Sequence, residues 1–187
     1  MQPHNRYARR LLRLLGWTLV DTPERPLKAV LIAYPHTSNW DAFYALLVKL
    51  ALGLDAHWAG KDTMFRWPFA NLLRRIGGVP VNRRHRTGFV EQMAAEFAAR
   101  SQFMLILSPE GTRSLMPGWK TGFYRIALEA QVPIGLTFMD YDKREAGVLA
   151  YLTLSGDPQK DIEAIAAHYR HRPGKYPGLA SPVRWLD

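Results

Sequence analysis

The chain contains no cysteine. Disulfides, thiolate-bound metal and a cysteine nucleophile are therefore excluded, and the absence is compatible with a cytosolic setting. No apolar run reaches the roughly 18 residues that span a bilayer, and nothing resembles a secretory leader with a cleavage site. The expectation is that a membrane, if the protein meets one, is met from its surface. Negative charge is also scarce. Asp and Glu number 16 against 25 Lys and Arg, for a net charge of +9 and a pI near 10.0. That balance favours anionic partners: nucleic acid, anionic lipid headgroups or phosphorylated substrates. What is present, 187 residues of which 48% are hydrophobic, suffices for one domain with a proper core. No repeat, linker or low-complexity stretch divides it.

Residues 4–20 read as a basic amphipathic helix. Arg6, Arg9, Arg10 and Arg13 share one face and Ala8, Leu11, Leu12, Leu15 and Leu19 the other. Such a helix suits the headgroup layer of an anionic membrane, or equally a surface position with its leucines on the core. Pro23 and Pro26 break the chain, so residues 1–22 are set apart from a domain over 23–187. That domain alternates. Strand-like runs at 29–34, 57–59, 79–81 and the wholly apolar 103–107 are separated by helix-like runs at 42–52, 62–75 and 87–100. A helix at 121–130, strands at 133–138 and 148–154, a helix at 158–170 and an irregular Pro/Gly-rich tail follow. The alternation predicts an α/β fold: one mixed, mostly parallel sheet flanked by helices. The last two strands are expected as an antiparallel pair at the sheet edge.

In such a sheet the loops after parallel strands share one rim, where ligands bind. Three of these loops are polar: Pro35–Asp41, Gly60-Lys61 and Ser108–Ser114. His36 and Asp41 are five residues apart, about 140° on a continuous helix, so they converge only if His36 precedes the helix and Asp41 opens it. Ser38 as N-cap fits that arrangement. His36 then reads as a general base and Asp41 as the group that fixes its tautomer. The alternative is a simple capped helix beside a loop histidine. In the third loop, Gly111 permits a close approach or a positive φ, Thr112 and Ser114 carry hydroxyls, and Arg113 carries a phosphate-matching fork. Glu110 suits a polyol or a nearby arginine. The basic run Asn82–Arg86 is a phosphate patch or a solvated face.

Together these residues resemble the glycerolipid acyltransferase superfamily, typified by 1-acylglycerol-3-phosphate acyltransferases. His36 and Asp41 match its His-x4-Asp motif, and Pro109 to Ser114 match its Pro-Glu-Gly-Thr-Arg-Ser loop in full. Gly60-Lys61, Val81-Asn82-Arg83 and Val132-Pro133-Ile134 follow the family order. Pro35, Thr37 and Ser108 stand where many members have Asn, Gln and Phe.

The resemblance implies transfer of a fatty acyl group from acyl-CoA or acyl-carrier protein to a lysophospholipid hydroxyl, at the cytoplasmic face of a membrane. It implies His36 and Asp41 as catalytic, and Lys61, Arg83, Glu110, Gly111, Thr112 and Arg113 as substrate-binding. No cofactor, metal or nucleic acid is implied. Phe43, Phe65, Trp67 and Phe69 are candidates for an acyl channel or for the core. The other readings are transfer to a lyso-aminolipid or glycolipid, a serine esterase using Ser38 or Ser108, and a non-enzymatic basic protein binding membrane or nucleic acid.

Overall fold

The computed structural model describes residues 4–81 and 88–186. In chain order its elements are α1 (Arg6–Leu14), β1 (Thr18–Val20), β2 (Lys28–Ala33), α2 (Trp40–Leu52) and β3 (Ala56–Lys61). A 3₁₀ turn (Asp62–Met64) leads to α3 (Ala70–Arg75), β4 (Gly78–Val81), α4 (Phe89–Ala99) and β5 (Phe103–Leu107). Then come α5 (Gly122–Glu129), β6 (Ile134–Asp140), β7 (Glu145–Leu152) and α6 (Pro158–His168). The strands form one sheet in the order β1-β7-β6-β2-β5-β3-β4. Only β6 and β7 pair antiparallel. The mostly parallel α/β architecture is the expected one.

Two expectations need correction. The first helix does not run over 4–20 but stops at Leu14. Gly16 takes φ +79°, its amide bonds back to Arg13 (3.0 Å), and the Trp17 amide bonds to Leu12 (2.8 Å). This closure suits a glycine, which bears no Cβ penalty there. The continuing Leu15–Leu19 spacing had masked it. The edge beside β7 is then taken by β1, which pairs Thr18 with Glu145. The antiparallel pair therefore lies one strand inside the edge.

Central strands are covered on both faces, which explains their unbroken apolar runs. Side chains alternate: Val30, Ile32, Phe103 and Leu105 enter one core, with Met93 and Phe97 of α4, Phe123 and Ile126 of α5, and Ile162 and Ile165 of α6. Ala29, Leu31 and Met104 enter the other, with Ala8 and Leu12 of α1 and Val48, Ala51 and Leu52 of α2. α3 belongs to this second layer, since Lys49 of α2 donates to the Ile76 carbonyl at the α3 terminus (3.2 Å). Among the described residues no helix is long and apolar enough to cross a membrane.

Candidate active site

β2 and β5 are adjacent and parallel, so the loops leaving Ala33 and Leu107 meet on one rim. The first loop is built around a single carboxylate. Asp41 lies in the first turn of α2 and is only 2% exposed. Its Oδ2 accepts the amides of Thr37 and Ser38, each at 2.8 Å, and stands 3.2 Å from Nδ1 of His36. Its Oδ1 accepts the Tyr141 hydroxyl at 2.7 Å. The N-cap of α2 is Asn39 rather than the expected Ser38, whose Oγ, one residue earlier, accepts the Trp40 amide (3.2 Å). Burial pushes the Asp41 carboxyl up. The hydrogen bonds from His36, Tyr141, Ser38 and Thr37 outweigh burial and hold it below the usual aspartate value. An ionised carboxylate thus faces Nδ1. Nε2 is the nitrogen left for a substrate, on a side chain that keeps 28% of its surface exposed.

The second loop braces the first. Glu110 is 1% exposed; one oxygen accepts the His36 amide (2.8 Å) and the other the Ser181 amide (2.9 Å). Burial pushes the Glu110 carboxyl up, while those amides pull the other way. Both oxygens are engaged with backbone, a bracing task its place in the sequence did not reveal. Gly111 has φ +66°. Thr112 Oγ1 accepts the Ser114 amide (3.3 Å). Arg113 donates to the side-chain oxygen of Asn39, tying the two loops together at the surface.

The structure therefore gathers His36, Asp41, Glu110 and Arg113, with Gly111 and Thr112 on the same loop. Lys61 is the last residue of β3, paired with Val81. Arg83, and the rest of the basic run up to Arg86, lie outside the described residues. Ser38 Oγ serves the Trp40 amide, and among the described residues neither Ser38 nor Ser108 hydrogen-bonds to His36. Of the four aromatic candidates, only Phe65 is core, packed on Trp58; Phe43, Trp67 and Phe69 are exposed.

Two parts of the site carried no local signal. Tyr141 is 100 residues from Asp41 and is held between the rings of Trp17 (5.1 Å) and Tyr44 (6.2 Å). Burial, then the Asp41 charge, pushes its hydroxyl far up, so it remains a donor. The irregular tail crosses the first loop as a strap. The Tyr176 amide donates to Thr37 Oγ1 (3.2 Å), and the Ser181 carbonyl accepts the Tyr34 hydroxyl (2.9 Å). Burial and Glu110 push that hydroxyl up to about 12. Gly174 passes so near the loop that a Cβ there would lie 2.7 Å from Thr37 Oγ1. Lys175 Nζ stands 5.2 Å from the centre of the Trp40 ring, beside the mouth of the site.

Comparison with known proteins places these features. The family profile described as Acyltransferase matches residues 11–135, spanning both loops. The crystal structure of the 1-acyl-sn-glycerophosphate (LPA) acyltransferase PlsC from Thermotoga maritima superposes with a TM-score of 0.61 at 14% identity. The match covers 89% of this chain and 75% of that one. At that identity the likeness concerns the fold. A search of curated proteins by sequence returns no match.

Proposed function

Because the chain belongs to the acyltransferase family, we propose that it moves a fatty acyl group from a thioester to the hydroxyl of a lysophospholipid such as 1-acylglycerol-3-phosphate, in phospholipid biosynthesis. The donor is acyl-CoA or acyl-carrier protein. The observation that carries this reading is the His36–Asp41 contact at 3.2 Å, in a loop whose Thr37 and Ser38 amides point at the same carboxylate. Nε2 of His36 takes the acceptor hydroxyl proton as that oxygen bonds to the thioester carbon. The C–S bond then breaks, and the imidazolium returns the proton to the leaving thiolate. Asp41 steadies the positive imidazole between the two steps. No protein nucleophile is required.

Arg113 offers its fork to the acceptor phosphate, beside Gly111 and Thr112; Lys61 and Arg83 are the further cations for that charge. Glu110 acts through the backbone of His36. The enzyme works at the cytoplasmic face of the membrane as a peripheral protein. The arginines of α1, all exposed, attract anionic headgroups.

His36→Ala is the test, with thiol release measured on a panel of lyso-acceptors and mass spectrometry of the lipid products. Turnover should fall roughly 10²–10⁴-fold with the thermal midpoint unchanged. Undiminished turnover overturns the mechanism, and a panel in which no lysophospholipid is acylated overturns the substrate class.

A further inference from the structure

The layer formed by α1, α2 and α3 leaves large apolar side chains uncovered, and they concentrate in the segment between β3 and β4. Trp67 is 92% exposed, Phe69 63%, Leu72 57% and Met64 51%. Among the described residues nothing packs over them. Arg66, Arg74 and Arg75 are exposed in the same segment, and residues 63–76 contain no acidic residue. An exposed aromatic and aliphatic cluster edged only by arginine is the composition of a surface that enters the headgroup and acyl boundary of an anionic bilayer. An acidic protein partner would match the arginines as well, but the segment's start on the His36 rim favours the surface where a lysolipid resides. Position agrees with composition. β2 and β3 run parallel, so the segment leaving β3 starts on the same rim as the His36 loop. Trp40 and Phe43, also exposed, continue the apolar surface from that loop along α2.

We propose that residues 64–72 are the membrane-inserting element of this protein, with Trp67, Phe69 and Leu72 entering the interface of an anionic bilayer and Arg66, Arg74 and Arg75 pairing with its headgroups. α1 differs in kind. It buries Ala8 and Leu12 in the core and leaves Tyr7, Leu11 and Leu14 exposed among its four arginines, so it adds mainly charge beside the inserted segment. The docking deepens the acyltransferase reading, because it sets the His36 rim against the surface where a lysolipid resides.

The test uses the full chain and vesicles of phosphatidylcholine and phosphatidylglycerol in equal parts. The combined variant Trp67→Ala, Phe69→Ala, Leu72→Ala should lose vesicle binding by at least roughly a hundredfold, because three large apolar side chains leave the interface. Trp67→Phe should bind but lose most of the blue shift that vesicles induce in the fluorescence of the 6 tryptophans. Wild-type vesicle binding by the combined variant overturns the proposal. So does a wild-type dimer that the variant converts to monomer, or loss of acyl-carrier-protein binding with vesicle binding intact. Acyl transfer to a short-chain, water-soluble acceptor is measured in parallel, so that docking and catalysis are read separately. If wild type binds vesicles through this segment but transfers no acyl group, the docking stands and the acyltransferase reading fails.

Discussion

The two faces of the sheet solve the same packing problem differently. On one, α4, α5 and α6 close over a core of aromatic and branched residues, and of their large apolar side chains only Leu128 is left exposed. On the other, α1, α2 and the segment leading into α3 bury one stripe each, or less, and leave Leu14, Phe43 and Trp67 in water. Apolar surface that a chain does not bury against itself destabilises nothing in the fold and favours association. The closed layer holds the sheet together, and the open layer gives the molecule a direction.

Paired truncations test that difference most strongly. Phe97, 2% exposed and packed edge-on against Phe103 at 4.7 Å, should cost about 3–5 kcal/mol as Phe97→Ala. Trp67→Ala on the open layer should stay within about 0.5 kcal/mol. Denaturant unfolding of both variants checks it, and equal losses would erase the distinction.

A smaller effect separates the rim from the open layer. Arg113→Ala should raise the KM for a phosphorylated acceptor by roughly 10- to 150-fold, the worth of a charge-assisted contact. Thioester KM and vesicle binding should hardly move. An unchanged acceptor KM would make Arg113 a loop tie to Asn39 and nothing more.

Where the open layer meets the rim, Tyr141→Phe removes one hydrogen bond to Asp41. The Asp41 carboxyl is held below its ordinary value, so its stabilisation is complete above the ordinary aspartate range and is lost as pH falls through the depressed value. The variant should lose about 1.5 kcal/mol at neutral pH, and the deficit should shrink as pH falls below the ordinary aspartate range. A deficit independent of pH would assign the loss to ring packing with Trp17 and Tyr44.

The smallest effect belongs to α1. Arg10→Ala should weaken binding to anionic vesicles by about 1 kcal/mol at low salt and by less at high salt. A loss that ignores salt would mean the helix inserts.

The contrast between the layers also marks what could be read from residues alone. Phe103–Leu107 announces a buried central strand, since only a strand covered on both faces is apolar at every position. His36 and Asp41 were legible because both partners of the contact lie within six residues. Residues 18–20 were not, because Leu15 and Leu19 keep helical spacing past the point where Gly16 turns the backbone. Tyr141 and Ser181 reach the site across 100 and 71 residues of separation, and no periodicity encodes such contacts. The exposure of Trp67 and Phe69 was equally hidden, for a sequence shows apolarity and not whether anything covers it.

The strap has a consequence for the order in which activity is acquired. A nascent chain emerging from the ribosome has His36 and Asp41 long before residues 173–181 exist. Until then the amide that Glu110 joins to the His36 loop is missing, and Thr37 has no Tyr176 amide across it. A chain that lacks residues 173–181 therefore carries His36 and Asp41 without the clasp that sets their geometry.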